Sequence, residues 1–255
     1  MEKRFVAKVA LVTGATSGIG QATAVRLAAE GAVVAVNRRP TGDATETLAK
    51  IAAVGGEAFE VVADMRDPKQ IVAMVQETAA RGGHLDLLVS NAAINPFMPW
   101  DTTTVEAFDE LSETNLRGTW VVTTEAAKQM IKEGHGGAIV CTSSISAHVG
   151  SPFQTAYCAT KGGISMWAKA FGAVVGQKGI RVNAIEPGWI DTKMAAPMFD
   201  DPAAVKYYEE RIALQRPGQP EEVAGVITYL LSDDASYVTS ATLLVDAGFI
   251  VNAEL

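Results

Sequence analysis

The sequence predicts one doubly wound α/β domain, with a central parallel sheet of about seven strands and helices on both faces. Three observations carry this expectation. Short, continuous apolar runs alternate with amphipathic stretches along the whole chain, as buried parallel strands and their covering helices do. A glycine-rich turn follows the first apolar run and opens the first amphipathic stretch. Thr13, Asn91, Ser143-Ser144 and Pro187-Gly188 each fall just after a predicted strand. Right-handed crossovers bring such positions to one edge of the sheet, where open α/β sheets bind ligands.

The elements follow in order. Strands are expected at Lys8 to Val12, Val33 to Asn37, Ala58 to Ala63, Leu85 to Ser90, Gly137 to Thr142, Arg181 to Ile185 and Leu243 to Val245. A helix from Ile19 to Glu30 ends at Gly31, and one from Thr41 to Val54 ends at Gly55-Gly56. Asp67 starts a helix over Pro68 to Arg81 that Gly82-Gly83 stops. Val105 to Glu133 reads as a long, broken helical region, and Thr155 to Gly176 as a helix.

With 255 residues, 48% hydrophobic and 20% charged, the chain suits a single well-packed domain over 1–255. The net charge of −8, without any Lys/Arg run, argues against nucleic acid or an anionic membrane as partner. Cys141 and Cys158 suggest neither a disulfide framework nor a zinc site, and His84, His135 and His148 form no ligand motif, so no metal is expected. No apolar run nears the ~20 residues of a membrane span, and the N-terminal apolar stretch is too short for a signal peptide. The expected compartment is the cytoplasm.

The turn Thr13-Gly14-Ala15-Thr16-Ser17-Gly18-Ile19-Gly20 lies between a strand and a helix N-terminus. Glycines there admit a pyrophosphate to the backbone, and free N–H groups and the helix dipole favour its charge. Its spacing, Gly-x-x-x-Gly-x-Gly, differs from the usual Gly-x-Gly-x-x-Gly, and no Lys-Ser/Thr follows. About twenty residues on, the second strand ends in Asn37-Arg38-Arg39, with no carboxylate before Asp43. A ribose 2′-hydroxyl is met by an acid at this position, whereas a 2′-phosphate needs Arg. The expected cofactor is therefore NADP(H) rather than NAD(H).

Tyr157 and Lys161 stand one helical turn apart. A phenol titrates near ~10 and an ammonium near ~10.4, so neither alone moves protons well at neutral pH. A neighbouring cation favours phenolate, which makes the pair a candidate proton-transfer group.

Taken together, Thr-Gly-x-x-x-Gly-Ile-Gly at 13–20, Asp64, Asn91-Ala92, Asn115, Ser144, Tyr157-x-x-x-Lys161 and Pro187-Gly188 resemble the short-chain dehydrogenase/reductases over essentially the whole chain. The resemblance implies a Rossmann fold and a catalytic tetrad of Asn115, Ser144, Tyr157 and Lys161. In it Tyr157 is the general acid/base, Lys161 lowers its pKa and bonds the nicotinamide ribose, Ser144 bonds the substrate oxygen, and Asn115 holds a water. It further implies Asp64 and Met65 at the adenine, Asn91 and Ala92 beside the cofactor, and Ile190 and Thr192 at the nicotinamide amide. Homotetramers or homodimers built from the helices at about 105–133 and 155–176 are implied as well.

Three positions depart from the family pattern. Ala93 and Ala247 replace common glycines, and Ser17 stands where many NADP-dependent members carry a basic residue. Phosphate recognition is thereby left to Arg38 and Arg39. Substrate specificity is expected from a lid-like segment over 189–220 and from Asn95, Phe97, Ser146, His148, Gln154 and Trp189. Polar side chains beside aromatics suit a sugar, polyol or functionalised ketone, interconverted between carbonyl and alcohol. Within the family the chain resembles glucose 1-dehydrogenases, with 3-oxoacyl-[acyl-carrier-protein] reductase as the alternative. That alternative calls for a basic patch, for which only Arg117 and Lys132 offer themselves. A redox-inactive NADP-binding regulator on the same fold is the reading from another class.

Overall fold

The computed structural model describes residues 3–252. Strands β1 (Val9–Val12), β2 (Val33–Arg38), β3 (Glu57–Val62), β4 (Leu87–Ser90), β5 (Gly137–Thr142), β6 (Ile180–Pro187) and β7 (Thr242–Val245) form one sheet in the order β3-β2-β1-β4-β5-β6-β7. All six pairings are parallel. The order reverses between β1 and β4, which creates a crevice at the carboxyl ends of those two strands.

The helices are α1 (Gly18–Ala29), α2 (Thr45–Ala53), α3 (Pro68–Gly82), α4 (Val105–Ser112), α5 (Gly118–Glu133), α6 (Thr155–Val175), α7 (Ala196–Phe199), α8 (Pro202–Arg211), α9 (Pro220–Leu231) and α10 (Phe249–Asn252). Alternate strand residues feed two cores. Leu11, Leu88 and Ile139 pack with Met74 of α3, Val122 of α5 and Ile164 of α6. Val12, Val89 and Val140 point the other way, toward Leu27 of α1 and Ile227 of α9. This period of two explains why the strands read as continuous apolar runs.

Local chemistry sets the helix limits. Asp67 accepts hydrogen bonds from the backbone N–H groups of Lys69 and Gln70, and Gly83 closes α3 in a left-handed conformation. The long region at 105–133 breaks at a π-helical turn, Glu113–Arg117, that presents Asn115. Helix α9 was not foreseen, although Pro220 in its first turn and the capping box of Gln219 and Glu222 mark its start. Among the described residues, no helix is long and apolar enough to cross a membrane.

Candidate active site

The crevice at the strand ends is a cleft of about 370 Å³ that runs from the glycine turn to Trp189. Gly14 sits at φ +61°, and a Cβ there would come 2.8 Å from the Ala92 Cα. The turn is fastened from three sides. Thr13 Oγ1 accepts from the N–H groups of Asn91 (2.9 Å) and Ala92 (3.1 Å), Asn91 Nδ2 donates to Thr13 O (3.2 Å), and Gly14 N donates to Asn37 Oδ1 (3.2 Å). No side chain caps α1, so its first N–H groups and its dipole face the cleft beside Thr16, Ser17, Gly18 and Ile19. Gly20 stands off the lining, where a Cβ would collide with the Gly14 carbonyl. Ala93 lines the cleft and is absent from the residues with positive φ, so the backbone there accommodates a methyl group.

At the far end of this half, Arg38 and Arg39 part company. Arg38 reaches across to β3 and pairs with Glu60, with Nε 2.7 Å and Nη2 2.8 Å from its two carboxylate oxygens. Both arginines, expected to take a phosphate, line the cleft, and the guanidinium of Arg38 is paired with its neighbouring strand. Arg39 is exposed, lines the cleft and pairs with no carboxylate among the described residues. Asp64 and Met65 lie beside it, with the Asp64 carboxylate held below its usual range by Arg66 at 2.7 Å. Asn37, expected to meet the cofactor, lines the cleft while its amide bonds to Gly14, Arg38 and Ala63.

The chemistry-bearing side chains meet in the middle of the cleft. Helix α6 carries Tyr157 and Lys161, both buried, and Ser144 approaches from the loop after β5. Burial raises the Tyr157 phenol above its ordinary range, and a hydrogen bond with Ser144 opposes that rise. Burial also lowers the Lys161 ammonium to about 8. Lys161 Nζ donates to Thr142 O at 2.8 Å and lies 5.4 Å from the centre of the Tyr157 ring. In this arrangement the ammonium is directed at the Thr142 carbonyl, and desolvation is the largest influence on the phenol. Thr142 Oγ1, on the cleft wall, is buried without a partner.

Asn115 lies one layer behind. Its Oδ1 accepts from Ile94 N (2.9 Å), and its Nδ2 donates to Ile94 O (2.9 Å) and Thr160 Oγ1 (3.4 Å). The amide thereby pins the loop after β4 to α6.

Asn95, Ser146, Gln154 and Trp189 all line the other half of the cleft, as do Pro187, Gly188, Ile190 and Thr192. Trp189 is sandwiched between Phe199 (4.5 Å between centroids) and Tyr208 (5.2 Å), and Tyr208 stacks on Phe249 (5.2 Å). The segment over 189–220 is therefore anchored by aromatic stacking above the sheet edge. His148 is not part of the lining; its Nε2 meets Glu186 Oε2 at 2.7 Å.

A family model described as enoyl-(acyl carrier protein) reductase matches residues 14–250. The chain belongs to the short-chain dehydrogenase/reductase family. It is 40% identical to an L-rhamnose 1-dehydrogenase (NAD(P)(+)) of Sphingomonas sp. (strain SKA58), over 99% of this chain and all of the relative. It is 34% identical to an L-rhamnose 1-dehydrogenase (NADP(+)) of Thermoplasma acidophilum, over 98% and 99% of the two chains. The structure of a short-chain dehydrogenase from Burkholderia cenocepacia J2315 in complex with NADP superposes with a TM-score of 0.89 at 33% identity, covering 97% and 99%. The protein is accordingly an oxidoreductase of this family.

A dinucleotide fits what the family's cleft offers here. The glycine cradle would be filled by any Cβ at Gly14, the uncapped α1 N-terminus suits a pyrophosphate, and Thr142 Oγ1 is an unused polar group on the wall. Sequence reasoning missed Arg66 and Thr142 as lining residues, while Tyr208 falls in the segment over 189–220 that was expected to cover the pocket. Thr142 precedes Ser143-Ser144 at a strand end and was open to the same argument. Tyr208 arrives through α8, whose start Asp201-Pro202 marks but whose place over the cleft is set by packing on Trp189 and Phe249.

Proposed function

We propose that this protein is an NADP(H)-dependent sugar dehydrogenase that oxidises the C1 carbinol of an aldose such as L-rhamnose to the lactone. The observation that carries the reading is the meeting of Tyr157, Ser144 and Lys161 in one cleft whose other end presents Arg39. The L-rhamnose relatives, aligned end to end with this chain, support the substrate class.

Bound NADP+ would supply the hydride acceptor. Gly14, Gly18 and the start of α1 would hold its pyrophosphate, Asp64 and Met65 its adenine side, and Arg39 its 2′-phosphate. Asn91, Ala92, Pro187, Gly188, Ile190 and Thr192 would flank the nicotinamide half. Ser144 orients the substrate hydroxyl, and Tyr157, as phenolate, takes its proton while hydride leaves the carbon. Lys161, at about 8, holds or releases a proton near neutral pH and stabilises phenolate once its ammonium turns from Thr142 O. Buried surroundings strengthen both interactions.

The reductase alternative weakens on inspection of its basic patch. Arg117 pairs with Glu113 at 2.8 Å and donates to Arg66 O at 2.6 Å, so of the two residues expected to form that patch only Lys132 stays available to an acidic carrier. Assembly into homotetramers or homodimers belongs to the same proposal. Trp120 on α5 and Met166 and Val174 on α6 expose large apolar surfaces that a second copy would cover.

Initial rates separate these readings. Aldoses with NADP+ are compared with a 3-oxoacyl thioester and NADPH. Turnover of L-rhamnose or another aldose supports the proposal, turnover of the thioester alone replaces it with the alternative, and inactivity throughout favours a regulator.

A further inference from the structure

Glu186 ends in one of the most deeply buried carboxylates of the molecule, at 1% exposure, directly before Pro187-Gly188. Its Oε1 accepts from Ser165 Oγ at 2.6 Å, and its Oε2 meets His148 Nε2 at 2.7 Å. Ser165 lies one turn after Lys161 on α6. Its hydroxyl also stands 2.8 Å from Ser143 Oγ, and Ser143 Oγ donates to Lys161 O at 2.8 Å. Ser143 precedes Ser144, and His148 follows the short helical turn Ile145–Ala147 that Ser144 opens.

One carboxylate therefore ties the two segments that bear the reacting groups to the end of β6. Through Ser165 it holds the helix of Tyr157 and Lys161. Through His148 it holds the far end of the Ser144 loop. Through its own backbone it holds the strand end that leads to the nicotinamide side of the cleft. Stability alone is a poor reason for such a group, because a well-packed apolar residue of similar volume serves a core as well as a buried ion does. Fixed geometry is the better reason, since small misplacements of reacting groups are costly. None of these four side chains except Ser143 lines the cleft, so the network acts from behind it.

We propose that Glu186, with Ser165 and His148, is a positioning network that sets the Ser144–Tyr157 contact. The proposal rests on the assignment of Ser144 and Tyr157 as the reacting pair.

Glu186→Ala, Glu186→Gln and Ser165→Ala are compared with the parent enzyme, each carrying fluorotyrosine at position 157. The fluorine resonance reports the phenol environment without turnover. It is expected to move in Glu186→Ala and Ser165→Ala and to return in Glu186→Gln, whose amide carbonyl still accepts from Ser165. With the aldose that the parent oxidises fastest, kcat is expected to fall about tenfold to a hundredfold in Glu186→Ala. KM for NADP+ stays within about twofold, and adding Glu186→Ala to Ser165→Ala costs little more, as members of one network do. A merely structural carboxylate would lower the melting temperature and leave kcat and the fluorine resonance where they were. That result, or an unmoved resonance in Ser165→Ala should Glu186→Ala fail to fold, overturns the proposal. Tyr157→Phe is assayed alongside: full activity there removes the reacting pair itself, whereas an inactive Tyr157→Phe with unaffected network variants removes this inference alone.

Discussion

The two halves of the cleft are built on different principles. The half beside β1, β2 and β4 is made of strand ends and turns, fixed by hydrogen bonds in which Thr13, Asn37 and Asn91 hold backbone groups across neighbouring strands. The half beneath α7 and α8 is built around side chains, in a stack that joins Trp189 of the loop after β6 to Phe199 of α7, Tyr208 of α8 and Phe249 of α10. A backbone cradle accepts a constant ligand, here a dinucleotide, whereas stacked side chains can change with the substrate while the sheet stays the same. Tyr157, Ser144 and Lys161 stand at the seam between them.

The seam should dominate every measurement. Tyr157→Phe is expected to keep NADP+ binding while turnover drops by about a hundredfold to ten-thousandfold, the range of a general acid/base. Equilibrium binding and initial rates on one preparation check this, and unimpaired turnover would dissolve the seam as a functional unit.

The next effect is alkaline. Folding lowers Lys161 from 10.5 to about 8, so between those values the unfolded chain holds a proton that the folded chain has lost. Stability from this group is therefore lowest below pH 8 and rises with pH up to about 10.5, by on the order of a few kcal/mol. Lys161→Met is expected to remove that rise. Denaturant unfolding of both proteins across this window provides the test, and parallel curves would contradict it.

Within the cofactor half, the two arginines should separate. Arg39→Ala is expected to cost about 1.5–3 kcal/mol of preference for NADP+ over NAD+, the size of a hydrogen bond to a charged group. Arg38→Ala should change that preference less and act mainly through the lost Glu60 pair. Ratios of kcat/KM for the two cofactors decide. Equal losses would mean that Arg38 leaves Glu60 to share the phosphate.

The smallest effect lies in the substrate half. Ala247 occupies φ +52°, a left-handed conformation that costs a residue with a Cβ about 1–2 kcal/mol. Ala247→Gly is expected to recover about 1 kcal/mol of stability with the cofactor half untouched. A lowered melting temperature would show that the methyl packs better than the backbone strains.

This division also explains what was legible in the sequence. The strands, the parallel sheet and the glycine turn follow from apolar runs and strand-end residues, which are local signals. Asn115 was marked by its motif, yet its amide bonds to Ile94 depend on a π-helical turn that no spacing announces. Arg38 read as free because Glu60 is 22 residues away and becomes its neighbour only through the β2–β3 register. His148 read as a pocket candidate, and its tie to Glu186 spans 38 residues. The aromatic stack depends in the same way on where α8 and α10 land. What failed to show was the partner each long-range side chain takes, while the strands and the glycine turn were readable.

The central claim is that this cleft moves a hydride from a sugar carbinol to NADP+. The most direct measurement uses L-rhamnose deuterated at C1 with NADP+ and follows the label by mass spectrometry. The account expects one deuterium in the reduced nicotinamide per lactone formed, with label transfer lost in Tyr157→Phe. Lactone formed alongside unlabelled nicotinamide, or label transfer undiminished in Tyr157→Phe, would contradict it.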